Sequence, residues 1–357
     1  MSKQLESLKF QNVGPAPSLK IDFKERLNFL AGDNGLGKTF LLDVAWWALT
    51  CTWARLPMVP HPPLARPSIS YRYKAKAGGT YDYTSTFDRE SEEWSVKRGR
   101  PPIPSMVIYA QVDGGFSVWD PARNYWKKDD SDRPKSYLFT SDQVWEGNDL
   151  CEGLIRDWAS WQREDGEAFQ QLKSVLKSLS PSQLIPGDLR KVSLDDPKRY
   201  PTLKMPYGED VALIHASAGM RRVVALAYLL VWTWQEHLEA CKLRGETPVS
   251  EIIFLIDEVE AHLHPEWQRR VVPALLEVME ALTGEHNAKT QLITATHSPL
   301  VLASIELIFE EERDGVFLLD LQDNSVTLRE LIRTLAGHDS FWPRWVVKHE
   351  AADGGEG

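Results

Sequence analysis

The chain has 357 residues, 26% of them charged and 43% hydrophobic, a globular balance that argues against a disordered, collagen-like or disulfide-stapled protein. Against 41 Lys and Arg stand 51 Asp and Glu, so the formal charge is −10 and no general electrostatic grip on DNA or an anionic membrane is expected. Cys51, Cys151 and Cys241 stand far apart with no CxxC pair, which fits a reducing compartment and argues against a zinc knuckle.

The first residues lack the apolar stretch of a signal peptide, and the longest apolar run, 223–234, is shorter than the ~20 residues of a membrane helix. A cytoplasmic protein with no membrane partner is expected. Residues 5–10, 19–23 and 27–30 read as short strands. A glycine-rich turn then leads into 39–50, where Leu41, Leu42, Ala45, Trp46 and Leu49 predict a buried helix. Pro57, Pro60, Pro62, Pro63 and Pro67 make 51–68 a rigid connector.

From Tyr71 to Val118 the composition predicts antiparallel strands, the most apolar of them through Val107, Ile108 and Tyr109. Helical spacing takes over from 149, through Leu154, Ile155, Trp158 and Trp161 and then Phe169, Leu172, Val175 and Leu176. Prolines break up 181–206, and 211–214 restarts the strands. A helix over about 220–241 is apolar on nearly every side at its middle, so it should lie between layers.

Residues 252–256 form a continuous apolar strand of the parallel, two-face-buried type. The next helix carries Trp267, Val271, Leu275, Val278 and Leu282 on one face and is expected to bend at Pro273. A strand over 291–295, a short helix over 299–305 and a last strand over 316–321 complete the pattern. The fold class is α/β, with a β-rich N-terminal lobe over 1–148, a helical insert over 149–205, an α/β lobe over 206–330 and a tail over 331–357.

Gly32-Asp33-Asn34-Gly35-Leu36-Gly37-Lys38-Thr39 satisfies the phosphate-loop pattern GxxxxGK[ST]. Glycines let successive backbone N–H groups converge on phosphate oxygens, and the following helix, opening with Phe40 next in line, presents its positive end to them. Lys38 is expected to reach the β and γ phosphates of ATP, and the Thr39 hydroxyl to ligate Mg²⁺. The apolar strand at 252–256 ends in Asp257-Glu258. That places one carboxylate where the nucleotide's Mg²⁺ sits and the next where it can polarise an attacking water.

Two further segments order the set. Ser217-Ala218-Gly219-Met220 precedes the long helix, with an N-cap residue, a glycine permitting close backbone approach and a helix start that favours an anion. Thr294-Ala295-Thr296-His297-Ser298-Pro299 puts a histidine at the end of a downstream strand.

Taken in order, these motifs resemble the P-loop NTPases of ABC-ATPase type, specifically the RecF, SMC and OLD (overcoming lysogenisation defect) heads. The resemblance covers the first fifty residues and about 210–305. It implies that Asp257 is the Walker B aspartate, Glu258 the catalytic carboxylate, 260–265 the D-loop, and Ser217 and Gly219 the signature. His297 would be the switch histidine at the γ phosphate. It also implies a glutamine completing Mg²⁺ coordination, for which Gln111 after an apolar strand is the best candidate, ahead of Gln143 and Gln162.

Because such heads grip ATP between the phosphate loop of one subunit and the signature of another, the resemblance implies a head-to-tail homodimer. Ala216, Ala218 and Met220 replace three residues of the transporter-type Leu-Ser-Gly-Gly-Gln, so a transporter subunit is disfavoured. No heptads run between Thr39 and Ser217, and 60 residues after His297 are too few for a Toprim nuclease. An ATPase driving a separately encoded effector, a nuclease in bacterial anti-phage defence, is therefore expected. A RecF-like DNA-binding repair ATPase and an ATP-held scaffold with negligible turnover are the alternatives.

Three other features read as ordinary. Asp320 and Asp323 sit at a strand end and turn, and His262 and His264 are explained by the D-loop without a metal. Lys97-Arg98-Gly99-Arg100 reads as a solvated hairpin end, with a DNA contact as the alternative.

Overall fold

A computed structural model describes residues 4–58, 60, 66–74, 79–96, 105–124, 136–180, 184–249, 251–284, 289–334 and 344–347. The basic run at 97–100 lies outside the described residues.

Two sheets share one helix. The first strands are β1 (Leu5–Gln11), β2 (Ser18–Asp22) and β3 (Leu27–Ala31), followed by α1 (Lys38–Thr50). Then come β4 (Ser68–Lys74), β5 (Thr80–Asp88) and β6 (Glu93–Trp94). β1, β2, β4, β5 and β6 form a five-stranded antiparallel sheet in the order β2-β1-β4-β5-β6. Its inner face, with Leu8, Phe10, Ile69 and Tyr71, packs on α1 through Trp46 and Trp47.

β3 leaves that lobe and enters a nine-stranded sheet. Its other members are β7 (Met106–Ala110), β8 (Phe116–Trp119), β9 (Tyr137–Phe139), and later β13–β17. Between them run α2 (Ser141–Glu146), α3 (Leu154–Glu164) and α4 (Glu167–Leu179), then a small sheet of β10 (Ile185–Pro186), β11 (Thr202–Lys204) and β12 (Asp210–Ala212), and then α5 (Ala218–Arg244). After α5 the order is β13 (Glu251–Ile256), α6 (Pro265–Gln268), α7 (Val271–Thr283), β14 (Lys289–Thr296), α8 (Pro299–Ser304), β15 (Asp314–Gln322), β16 (Ser325–Thr334) and β17 (Arg344–Val347).

The middle of the large sheet is parallel, in the order β15-β3-β14-β13-β7, with β8, β9, β16 and β17 added antiparallel at the flanks. Its strands are buried on both faces, and the two-residue period divides them. Ile252, Phe254 and Ile256 turn to the layer of α4, α5 and α7, while Ile253 and Leu255 turn to α1. α5 is capped by the Ser217 hydroxyl accepting from Met220 N (3.3 Å) and ends at a left-handed Gly245. Trp158 on α3 is fully buried.

Three elements differ from the sequence reading. β7 is not one of the N-terminal lobe's antiparallel strands: it pairs parallel with β13, as its five buried residues demand. The helix after 264 breaks at Arg269–Arg270 rather than bending at Pro273, because Pro273 sits in the first turn of α7, where a missing N–H costs nothing. β15 is not the last strand. Asp323 and Asn324, at φ 46° and 61°, turn it into β16, and β17 follows within the stretch read as a tail.

Candidate nucleotide site

Four neighbouring parallel strands end side by side, and each end carries an expected site residue. β3 runs into Gly32, β14 into His297, β13 into Asp257 and β7 into Gln111. Registers Ala31–Thr296, Thr294–Ile256 and Ile256–Ala110 set them in one row. This is the carboxyl edge of an open α/β sheet, where such folds bind ligands.

The loop after β3 is built to bring its backbone close to something. Gly32, Gly35 and Gly37 all have positive φ (140°, 81° and 95°). A Cβ on Gly32 would meet Leu319 O at 2.4 Å, and one on Gly37 would meet the Pro15 ring at 2.6 Å. Gly37 is the N-cap of α1 and supplies no side-chain acceptor, so the first amides of the helix carry no side-chain cap. Asp33, Asn34 and Gly35 are exposed, while Phe40 turns inward onto Phe10 (5.3 Å between ring centroids). The segment around Gly14 and Pro15 thus braces the loop from behind, a role no local pattern announces.

Lys38 is buried, and its ammonium donates to Gly32 O (2.7 Å) and Asp33 O (2.8 Å). Burial pushes its pKa down, against the pull of Glu258, Glu260, Asp257 and Asp33. The Thr39 hydroxyl donates to Asp257, at 2.8 and 3.1 Å from its two oxygens. A hydroxyl and one buried carboxylate beside a phosphate cradle form a donor set that suits Mg²⁺, which takes one or two carboxylates and completes its shell with phosphate and water. No group of three or more His, Cys, Asp and Glu suited to a metal occurs among the described residues.

Asp257 has further partners that the sequence reading missed. Arg55, in the proline-rich connector, donates to Asp257 Oδ2 (3.0 Å) and Tyr109 Oη (2.8 Å) and lies 3.4 Å from Asp43 Oδ1. Tyr109 Oη donates in turn to Asp43 Oδ1 (2.9 Å). Burial raises the Asp43 pKa to about 6, and Arg55 and Tyr109 only partly offset this. From the other side Arg222, in the first turns of α5, donates to Gln111 O (2.7 Å), Val112 O (3.1 Å) and Asp257 O (3.4 Å). One arginine thereby ties the start of α5 to two strand ends.

Glu258 leaves β13 in the left-handed region (φ 48°) and is partly exposed. His297 is 45% exposed, with Nδ1 4.0 Å from Glu258 Oε1 and 3.1 Å from Glu260 Oε1. Ser217 is exposed, and Gly219 is pressed on the turn after β13: a Cβ there would meet His262 O at 2.6 Å. The Met220 side chain packs against the helical core.

Gln111 stands beside Asp257, but its amide donates to Ser117 Oγ (3.0 Å). The competing glutamines are occupied elsewhere. Gln143 closes the capping box of α2, and Gln162 bridges Trp158 (3.1 Å) and Gly187 O (2.8 Å). His264 caps α6, and Asp320 accepts from Arg329 (2.8 Å). A buried Asp120–His237–Cys241 trio is structural. His237 Nδ1 lies 2.8 Å from Asp120, Nε2 accepts from Val249 N (3.0 Å), and Cys241 is 2% exposed. No helix among the described residues is long and apolar enough to cross a membrane.

Comparisons with known proteins place the chain among relatives. The chain is 21% identical to Septu protein PtuA of Bacillus thuringiensis over 94% of its own length and 84% of that protein's. It is 28% identical to the Retron Vc95 probable ATPase of Vibrio cholerae, over 40% of this chain and a quarter of that one. An SMC head bound to the C-winged helix domain of ScpA aligns with 92% of this chain and 97% of its own, at 14% identity and a TM-score of 0.49. The family described as "AAA domain, putative AbiEii toxin, Type IV TA system" matches residues 27–303. The chain belongs to that family, whose model covers more than half of its length.

Proposed function

We propose that the chain binds and hydrolyses ATP with Mg²⁺, and that two copies close head-to-tail around two nucleotides. The observation that carries this reading is the Thr39–Asp257 contact (2.8 Å) beside a buried Lys38 and a left-handed glycine loop.

Each residue then has one task. Backbone amides over Gly32, Asp33, Asn34, Gly35, Leu36 and Gly37 surround the phosphates, with Phe40 holding the loop against its brace. Lys38 exchanges its two carbonyl acceptors for phosphate oxygens. Thr39, Asp257 and Gln111 would hold Mg²⁺, which when bound would supply positive charge against the nucleotide's phosphates. Glu258 orients a water in line with the γ phosphorus and takes its proton as the bond to ADP breaks. His297 contacts the γ phosphate. Exposed Ser217, with Gly219 and Met220 behind it at the helix start, supplies the second half of the partner's site.

Cycling of this clasp would gate a separate effector. The OLD-like motif order and the likeness to the Septu and retron proteins support an effector nuclease in anti-phage defence. The test is Glu258→Gln, which should keep ATP binding and accumulate as an ATP-bound dimer on size exclusion. Elution as a monomer with saturating ATP and Mg²⁺ refutes the sandwich.

A further inference from the structure

The segment 258–268 lies between two loops of the site. Its turn is fixed by Ala261 N donating to Glu258 O and Leu263 N donating to Glu260 O, both 2.9 Å, with a left-handed His262 (φ 62°). On one side the His262 carbonyl supports Gly219. On the other, two tethers reach the loop after β14. Ser298 Oγ donates to Gln268 Oε1 (2.7 Å), and Gln268 Nε2 donates to Leu263 O (2.9 Å). The second tether is Glu260. Its side chain is 3% exposed, and Oε1 accepts the His297 backbone N–H (2.6 Å) while lying 3.1 Å from His297 Nδ1.

A carboxylate on one ring nitrogen fixes the ring's orientation and leaves the other nitrogen for a ligand. We propose that Glu260 is the positioning residue of His297: it holds the ring by Nδ1 so that Nε2 meets the γ phosphate, and it ties that presentation to the D-loop on which the signature glycine rests. This rests on the ATPase reading above. The backbone hydrogen bond and the 3.1 Å contact of Nδ1 fall on one oxygen, which a glutamine amide oxygen would also supply. Oε2 takes no hydrogen bond among the described residues, so the carboxylate also contributes charge, and that charge acts on Lys38.

Glu260→Ala, His297→Ala, the double variant and Glu260→Gln form the test. If Glu260 acts through His297, each alanine variant lowers kcat about 100-fold with KM for ATP within roughly 3-fold, and the double variant falls no further. Glu260→Gln, which keeps the acceptor and removes the charge, should lose about 10-fold. The ring nitrogens of His297 in ¹⁵N-histidine-labelled protein, assigned by their absence from His297→Ala, should shift in Glu260→Ala without nucleotide.

Multiplying kcat losses, or an unmoved ring signal, overturn the proposal. Should Glu260→Ala not fold, the ring signal in Glu260→Leu, which fills the volume without an acceptor, decides in its place. A wild-type protein that releases no phosphate would refute the ATPase reading alone, since the nucleotide-free ring signal still decides the Glu260–His297 coupling.

Discussion

The two ends of β3 and its neighbours both bury charge, and they do so differently. At the amino end Arg26 is saturated. Nε donates to Asp314 Oδ1 (2.9 Å), and Nη2 bonds Asp314 Oδ2 and the Ile308 carbonyl. Asp314 also accepts Leu27 N (3.1 Å) and Glu310 N (2.8 Å). At the carboxyl end the accounts stay open. Arg55 Nε and Glu260 Oε2 lack hydrogen-bond partners among the described residues, and Lys38 is held only by loop carbonyls. Saturated charge fixes the framework, whereas charge left partly unmatched is disposed to receive a polyanion and its cation.

Substitutions at each end can break this contrast. The largest effect is expected at the open end: Lys38→Ala should cut phosphate release by about 10²–10³-fold while the nucleotide-free melting temperature barely moves. Asp314→Ala should do the reverse, costing about 3–5 kcal/mol in urea unfolding because half-buried Arg26 loses its buried partner and keeps only Glu310 and a carbonyl, with kcat of the folded enzyme kept. A turnover defect without a stability loss there would erase the distinction.

Arg55→Ala should fall between them, at roughly 1–3 kcal/mol, and added Mg²⁺ should restore part of the loss by meeting Asp257 in the arginine's place. Asp314→Ala should show no such rescue. The smallest effect lies in α3. Burial, opposed by the Tyr228 hydrogen bond, raises the Asp157 pKa from 3.8 to about 6. Its neutral form favours the fold, so that contribution is full below the unfolded value and is lost as pH rises through about 6. Asp157→Asn should flatten that part of the stability profile, checked by urea unfolding below and above this window.

Local pattern carried much of this molecule. The glycine loop, the apolar run into Asp257-Glu258 and the threonine-rich strand before His297 each announce themselves within ten residues, because backbone geometry and burial are local demands. What stayed hidden is contact across long separations. Arg55 lies in a proline-rich connector that reads only as stiff, and its partner Asp257 is 202 positions away. Arg222 follows the Ser217-Ala218-Gly219-Met220 segment by two residues, but its acceptors are carbonyls, which leave no trace in side-chain composition. Aromatic and β-branched residues suit either sheet, so composition alone does not tell β7 from an antiparallel strand of the N-terminal lobe. Its unbroken burial marked it as a parallel, interior strand. Asp323-Asn324 is a weaker hairpin signal than Asn-Gly, so β16 went unread.

The uncapped start of α1 has a thermodynamic consequence. Gly37 brings the helix amides into the open with no side chain to receive them, so an inorganic oxyanion that fits there binds the folded chain and not the unfolded one. By mass action a hundredfold excess over its dissociation constant adds about 2.7 kcal/mol. Melting curves recorded in phosphate and in an amine buffer should therefore separate, and the gap between them measures how much of this protein's rigidity is lent by its solvent.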